Sequence, residues 1–298
     1  MRNLSRSDGQ SGPAEEATAY YRSLGGGRYQ PSMHTEGAWV TEEQHMAPAS
    51  GLLADAIETS SARTDLLTSR ITFDILGLIH REEVQITAAV IRPGRTIELV
   101  QAEMHAGGRV VVRATAWRLA RTDTADLAAT ELTPMPGPDT AEPWNGLQVW
   151  GGGFIRSLEF RLLPGGRPGR ARAWIRTRHP LVDDRQASEL AAYVGLIDTA
   201  NGVAVRSKPT ELLFPNTDLT IHFVREPAGE WLGLDTSVSY GPGGVGLTSS
   251  VLHDIDGPVG RAAQSLTLRR RLSQDGQDRS TPSGAPAGCR NFWMISDR

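Results

Sequence analysis

Cysteine is nearly missing from this sequence: among 298 residues only Cys289 is present. An internal disulfide is therefore excluded, and a catalytic thiol would need a base held beside the Gly/Pro/Ser-rich stretch in which Cys289 stands. No run approaches the roughly 18 apolar residues that a membrane span requires, and the opening MRNLSRSDGQSG has no apolar core of the kind a signal peptide uses. Both absences lead to the expectation of a cytoplasmic protein without a membrane partner. Excess positive charge is missing too. A net charge of −3 and a pI near 6.2 speak against nucleic acid as a partner, because a phosphate-binding surface needs a basic face. G-x-S-x-G, H-E-x-x-H and metal-spaced Cys/His clusters are all absent, and Gly151-Gly152-Gly153 is not followed by the Gly-Lys-Ser/Thr of a phosphate loop. No metal or redox cofactor is therefore expected. Aromatic residues are only 6%, whereas 32 glycines point to sheet turns.

What is present has an order that repeats. The ends, 1–18 and 273–298, are polar and without periodicity, and are expected to be disordered. A terminal apolar cluster, Asn291 to Ile295, interrupts the second of them. Between the ends, residues 50–61 read as a helix, followed by strand-like runs over 69–78, 83–92, 96–105 and 109–119. A second helix over 188–205 is followed by runs over 218–224, 231–240, 245–253 and 259–268, with two extra runs, 154–163 and 170–177, ahead of it. Gly51 can be laid over Gly195, Thr72 over Thr220 and Gly108 over Gly257, at offsets of 144, 148 and 149. A nearly constant offset indicates internal duplication. The division expected is a first unit over 19–121, a connector over 122–147 and a second unit over 148–272. One helix followed by an antiparallel sheet long enough to curl round it is the plan of the hotdog fold. Two copies make an α+β double hotdog whose sheets pair into one.

The second helix carries the chemistry. Its face bearing Ala191, Gly195 and Gly202 holds one carboxylate, Asp198. Small residues let a backbone or a ligand approach, and a carboxylate among them is costly to bury unless it is hydrogen-bonded or working.

LIDTANGV (196–203), LLFPNTDLTIHFVREPAGEWLGLD (212–235) and GVGLTSSVLHDIDGPVGRAAQSLTLR (244–269) resemble the acyl-CoA thioesterase II family, and more closely its actinobacterial double-hotdog branch. RITFDILGLI (70–79) and VIRPGRTIELVQAEMHAGGRVVVRATAWR (90–118) resemble the same family. The resemblance implies hydrolysis of an acyl-CoA or acyl-carrier thioester, a task of lipid metabolism. It places the catalytic Asp at Asp198, the hydroxyl residue at Thr217 and the glutamine at Gln264, which together would aim one water at the thioester carbonyl. Asp198 would take the proton, and burial would raise its pKa for that purpose. Taken singly, Thr217 reads as a loop cap and Gln264 as an outward strand residue. In the first half Ala54, Ser69 and Thr115 stand over the three, and Asp55 is expected to face solvent with Glu58, so one site per chain is expected. The oxyanion would be met by backbone N–H groups of Met46 and Ala47 at the start of the first helix. There this chain departs from the family, having Met46-Ala47-Pro48 in place of a glycine pair. Two rivals stand beside the hydrolase: a non-catalytic acyl-CoA-binding or interaction module on the same fold, and a hotdog dehydratase or hydratase. Monomer and homodimer are both open.

Overall fold

The computed structural model describes residues 18–271; the expected disordered ends, Cys289 and the cluster Asn291 to Ile295 lie outside the described residues, apart from Thr18. The chain opens with a hairpin that sequence patterning did not reveal, β1 (Tyr21–Gly25) and β2 (Arg28–Pro31). Then come α1 (Met46–Thr59) and a meander of β3 (Leu66–Ile75), β4 (Val84–Arg92), β5 (Ile97–Ala106) and β6 (Arg109–Ala120). The connector contributes β7 (Glu142–Trp144), an edge strand paired with β8 (Leu158–Leu162), so it is more than a tether. A one-turn helix α2 (Gly153–Arg156) occupies the start of the run expected as strand from 154. After β9 (Arg170–Thr177) follow α3 (Glu189–Ile197), the short α4 (Ala200–Val203), β10 (Leu212–Leu213), β11 (Asp218–Phe223), β12 (Leu232–Tyr240), β13 (Val245–Asp254), β14 (Gly257–Thr267) and β15 (Arg269–Arg270).

Thirteen strands form one sheet in the order β1-β2-β4-β5-β6-β3-β11-β14-β13-β12-β9-β8-β7. The halves meet at β3 and β11, which run antiparallel with Thr72 opposite Thr220 and Asp74 opposite Asp218. Thr72 and Thr220, 148 apart, therefore face each other at an approximate two-fold axis, with the Asp74–Asp218 pair on one side of it and the Arg70–His222 pair on the other. The fold is a double hotdog, with α1 and α3 packed together inside a sheet shared by both units.

The helices touch where the sequence is smallest. A Cβ on Gly51 would lie 2.9 Å from both the Ala191 carbonyl oxygen and the Gly195 Cα, distances that real side chains do not tolerate. The small-residue stripe thus serves backbone approach between helices. α1 begins four residues earlier than expected because His45 caps it: Nδ1 accepts the Ala47 N–H at 3.1 Å, and Pro48 sits in the first turn, where no N–H is missed. Ser188 caps α3 by accepting the Ala191 N–H at 2.9 Å. The second helix is not continuous to Val205; α3 stops at Ile197, and Asp198 and Thr199 form a break before α4.

The structure also corrects two assignments. Thr115 pairs with Thr72 on β3, whereas Ala263 pairs with Thr220 on β11. The counterpart of Gln264 is accordingly Ala116, a fully buried residue, and not Thr115, whose side chain is on the opposite face of β6. Asp55 does not face solvent. It is 3% exposed and is held by both guanidinium nitrogens of Arg185, from a loop that the sequence gives no reason to bring near; Glu58 accepts from the Ser188 hydroxyl.

Candidate functional site

Asp198 stands at the C-terminal end of α3, 6% exposed, with its carboxylate on the wall of a cavity of about 280 Å³. Its Oδ1 accepts two amide donors, Asn216 Nδ2 and Gln264 Nε2, each at 2.8 Å. Its Oδ2 lies 3.7 Å from His45 Nδ1, beyond hydrogen-bond reach. Burial is the dominant influence on the carboxyl and raises its pKa to about 7; the amides of Asn216 and Gln264 pull the other way and only in part offset it. A carboxyl group balanced near neutrality can take a proton from water.

The three expected polar residues do not converge equally. Asp198 and Gln264 are in direct contact. Gln264 belongs to the inward face of β14 with Ala262 and Leu266, is 1% exposed and is not part of the cavity wall; its link to the cavity is the bond to Asp198. Thr217 is fixed by main-chain bonds, donating to the Ser265 carbonyl and accepting from the Ile75 N–H. No hydrogen bond joins it to Asp198 among the described residues. The neighbouring Asn216, which lines the cavity, supplies the contact instead. Sequence reading passed over Asn216 as part of the loop before Thr217. Its one local signal was an amide-bearing residue beside the expected hydroxyl. In the first half the matching positions are Ala54, Thr68 and Ala116, with neither carboxylate nor amide.

The start of α1 faces the same cavity through His45 and Met46. Of the two backbone donors expected there, the Ala47 N–H is taken by His45. The Met46 N–H has no main-chain acceptor among the described residues. The rest of the wall is mainly apolar, with Trp39, Trp150, Ile155, Phe160 and Leu213. Trp39 meets Trp150 edge to face at 4.9 Å between ring centroids, and Trp150 donates its Nε1–H to the Gly202 carbonyl at 2.9 Å, holding the tryptophan pair against α4. Trp174 and Trp231, by contrast, are structural: Trp174 donates to the Pro136 carbonyl at 2.8 Å, and Trp231 lies under the Arg176 and Arg161 guanidinium groups.

A buried carboxyl at one end and a mainly apolar wall characterise the cavity of this double hotdog, the form of a small-molecule site. Family comparison narrows this. The acyl-CoA thioesterase N-terminal domain matches residues 35–119 and the acyl-CoA thioesterase C-terminal domain matches residues 129–268, together most of the chain. The protein belongs to the acyl-CoA thioesterase family. No curated protein sequence matches it. Among solved structures, a hotdog-fold protein of unknown function from Alicyclobacillus acidocaldarius is 16% identical, with a TM-score of 0.68 over 86% of this chain and 97% of that one. An acyl-CoA thioesterase II from Mycobacterium marinum is 19% identical, with a TM-score of 0.61 over 88% and 97%. At these identities the likeness establishes the fold. Among the described residues no helix is long and apolar enough to cross a membrane.

Proposed function

We propose that this protein hydrolyses acyl-CoA or acyl-carrier thioesters with a water activated by Asp198. The observation that carries the reading is the carboxyl itself: buried, raised to about 7, fixed through Oδ1 by two amides and open to the cavity through Oδ2. A water on Oδ2 gives its proton to Asp198 as its oxygen bonds to the thioester carbon. The carbonyl electron pair moves to the oxygen, near the Met46 N–H. Collapse breaks the C–S bond, and the departing thiolate takes the proton from Asp198, leaving a carboxylic acid and a thiol. Asn216 and Gln264 hold the carboxylate in place, while Trp39 and Trp150 cover the acyl chain. Thr217, tied by main-chain bonds, and the Ala47 N–H, tied to His45, adjoin these groups without a part in the reaction. The substrate chemistry fits an enzyme of lipid metabolism in the cytoplasm.

A hotdog dehydratase would need a histidine base. His45 is beside Asp198, but its Nδ1 accepts the Ala47 N–H, so the neutral ring carries its proton on Nε2 and donates. The binding-module reading draws on the tied Ala47 N–H and on Pro48, which thin the donors at α1. Hydrolysis of acyl-CoAs of graded length, followed as free thiol released, separates the two. Turnover by the wild type and its loss in Asp198→Asn is the expected result. A wild type that is inert across the series yet thermally stabilised by an acyl-CoA would establish the binding module.

A further inference from the structure

His45 is a cavity-wall residue that the hydrolysis above leaves without a task. Its Nδ1 accepts the Ala47 N–H at 3.1 Å, and its ring lies against Phe154 with centroids 4.4 Å apart. A ring nitrogen that accepts a hydrogen bond carries no proton, so the neutral imidazole is the Nε2–H tautomer. Nε2 has no partner among the described residues, yet it is not one of the sealed, unpartnered buried atoms. Because His45 lines the cavity, this N–H is open to whatever enters. The other donors at α1 are few: Ala47 is engaged, Pro48 has no N–H, and Met46 remains.

We propose that the His45 Nε2–H is the second donor of the oxyanion hole, standing in for the backbone amide that Ala47 gives to the cap. This deepens the hydrolase reading and rests on it. In the tetrahedral intermediate the former carbonyl oxygen holds the negative charge and accepts from Met46 N–H and His45 Nε2–H. The imidazole transfers no proton, and the charge returns to the C=O bond as the thiolate leaves. Neutrality suits the role. An imidazolium 3.7 Å from Asp198 Oδ2 would stabilise the carboxylate and weaken it as a base. Burial keeps the ring neutral, with its pKa lowered to about 4. Phe154 fixes the ring plane, and the cap fixes its tautomer, so the donor is oriented before substrate arrives.

Two substitutions with opposite consequences test this. His45→Asn keeps an oxygen at a position where asparagine is a good helix cap, and removes the distal N–H. His45→Gln extends an amide N–H toward the Nε2 position and sacrifices the cap. With acyl-CoAs from butanoyl to palmitoyl, His45→Asn is expected to lower kcat by about 10²–10³-fold with KM little changed and the thermal midpoint close to wild type. His45→Gln is expected to recover about tenfold of that loss. Wild-type kcat in His45→Asn, or equal loss in both folded variants, overturns the role of His45 while leaving hydrolysis in place if Asp198→Asn is inactive. A wild type inert on every thioester overturns both. Independently of turnover, nitrogen NMR of histidine-labelled wild type should show His45 as the Nε2–H tautomer near neutral pH; the Nδ1–H tautomer overturns the proposal outright.

Discussion

Gln264 donates its side-chain amide to Asp198 Oδ1 at 2.8 Å, joining the last long strand of the sheet to the break between α3 and α4. Both partners are nearly sealed from solvent, at 1% and 6% exposure. The bond explains how a strand residue absent from the cavity wall takes part in the site. It holds one carboxylate oxygen and leaves the other without an amide partner. Asn216 completes the same task from the loop before β11.

The pH profile should follow Asp198. Its pKa of about 7 implies that kcat/KM rises with pH through neutrality and levels off once the carboxyl is ionised. A profile already flat from about pH 5 would mean that another group is the base.

Asn216→Ala should move that inflection upward. The lost amide stabilised the ionised carboxylate, and a hydrogen bond to a charged group contributes about 1.5–3 kcal/mol, or roughly one to two pH units. The expected observation is lower activity at neutral pH, partly restored in alkaline buffer. An unchanged inflection would show that Asn216 does not act on the base.

Asp198→Asn should abolish turnover and reveal the stability cost of the base. The folded pKa lies above the unfolded value of about 3.9. The contribution of Asp198 to stability is therefore full below about pH 4 and is lost as pH rises through about 7. The raised pKa corresponds to ~4 kcal/mol between those limits. Thermal midpoints of the variant should match or exceed wild type at about pH 8, with the advantage shrinking toward acid pH.

Gly51→Ala should destabilise the fold without touching the cavity. The new methyl would meet the Ala191 carbonyl and the Gly195 Cα at 2.9 Å, and neither backbone atom can swing aside. Overpacking of this kind costs about 1–3 kcal/mol, readable as a lower denaturation midpoint. Thioester turnover per folded molecule should be retained.

Much of the architecture was legible in the sequence because it follows from local patterning. Alternation gave the long strands to within a few residues, and the repeat offset named Gly51 and Gly195, which meet across the helix pair, and Thr72 and Thr220, which face each other across the two-fold axis. The hairpin at Tyr21–Pro31 was missed because its strands are short and Gly-rich at the turn. The fate of Asp55 was missed because its partner Arg185 lies 130 residues away.

The sequence by itself determined the double-hotdog order, the absence of a carboxylate from the first helix at Ala54, and the candidacy of Asp198 and Gln264. Only the tertiary structure decided which groups meet that carboxylate. Asn216 in place of Thr217, and the engagement of the Ala47 N–H by His45, depend on loop conformation and on distances between elements remote in the chain. The value near 7 for Asp198 likewise comes from desolvation, which depends on how completely the folded chain excludes water from one side chain.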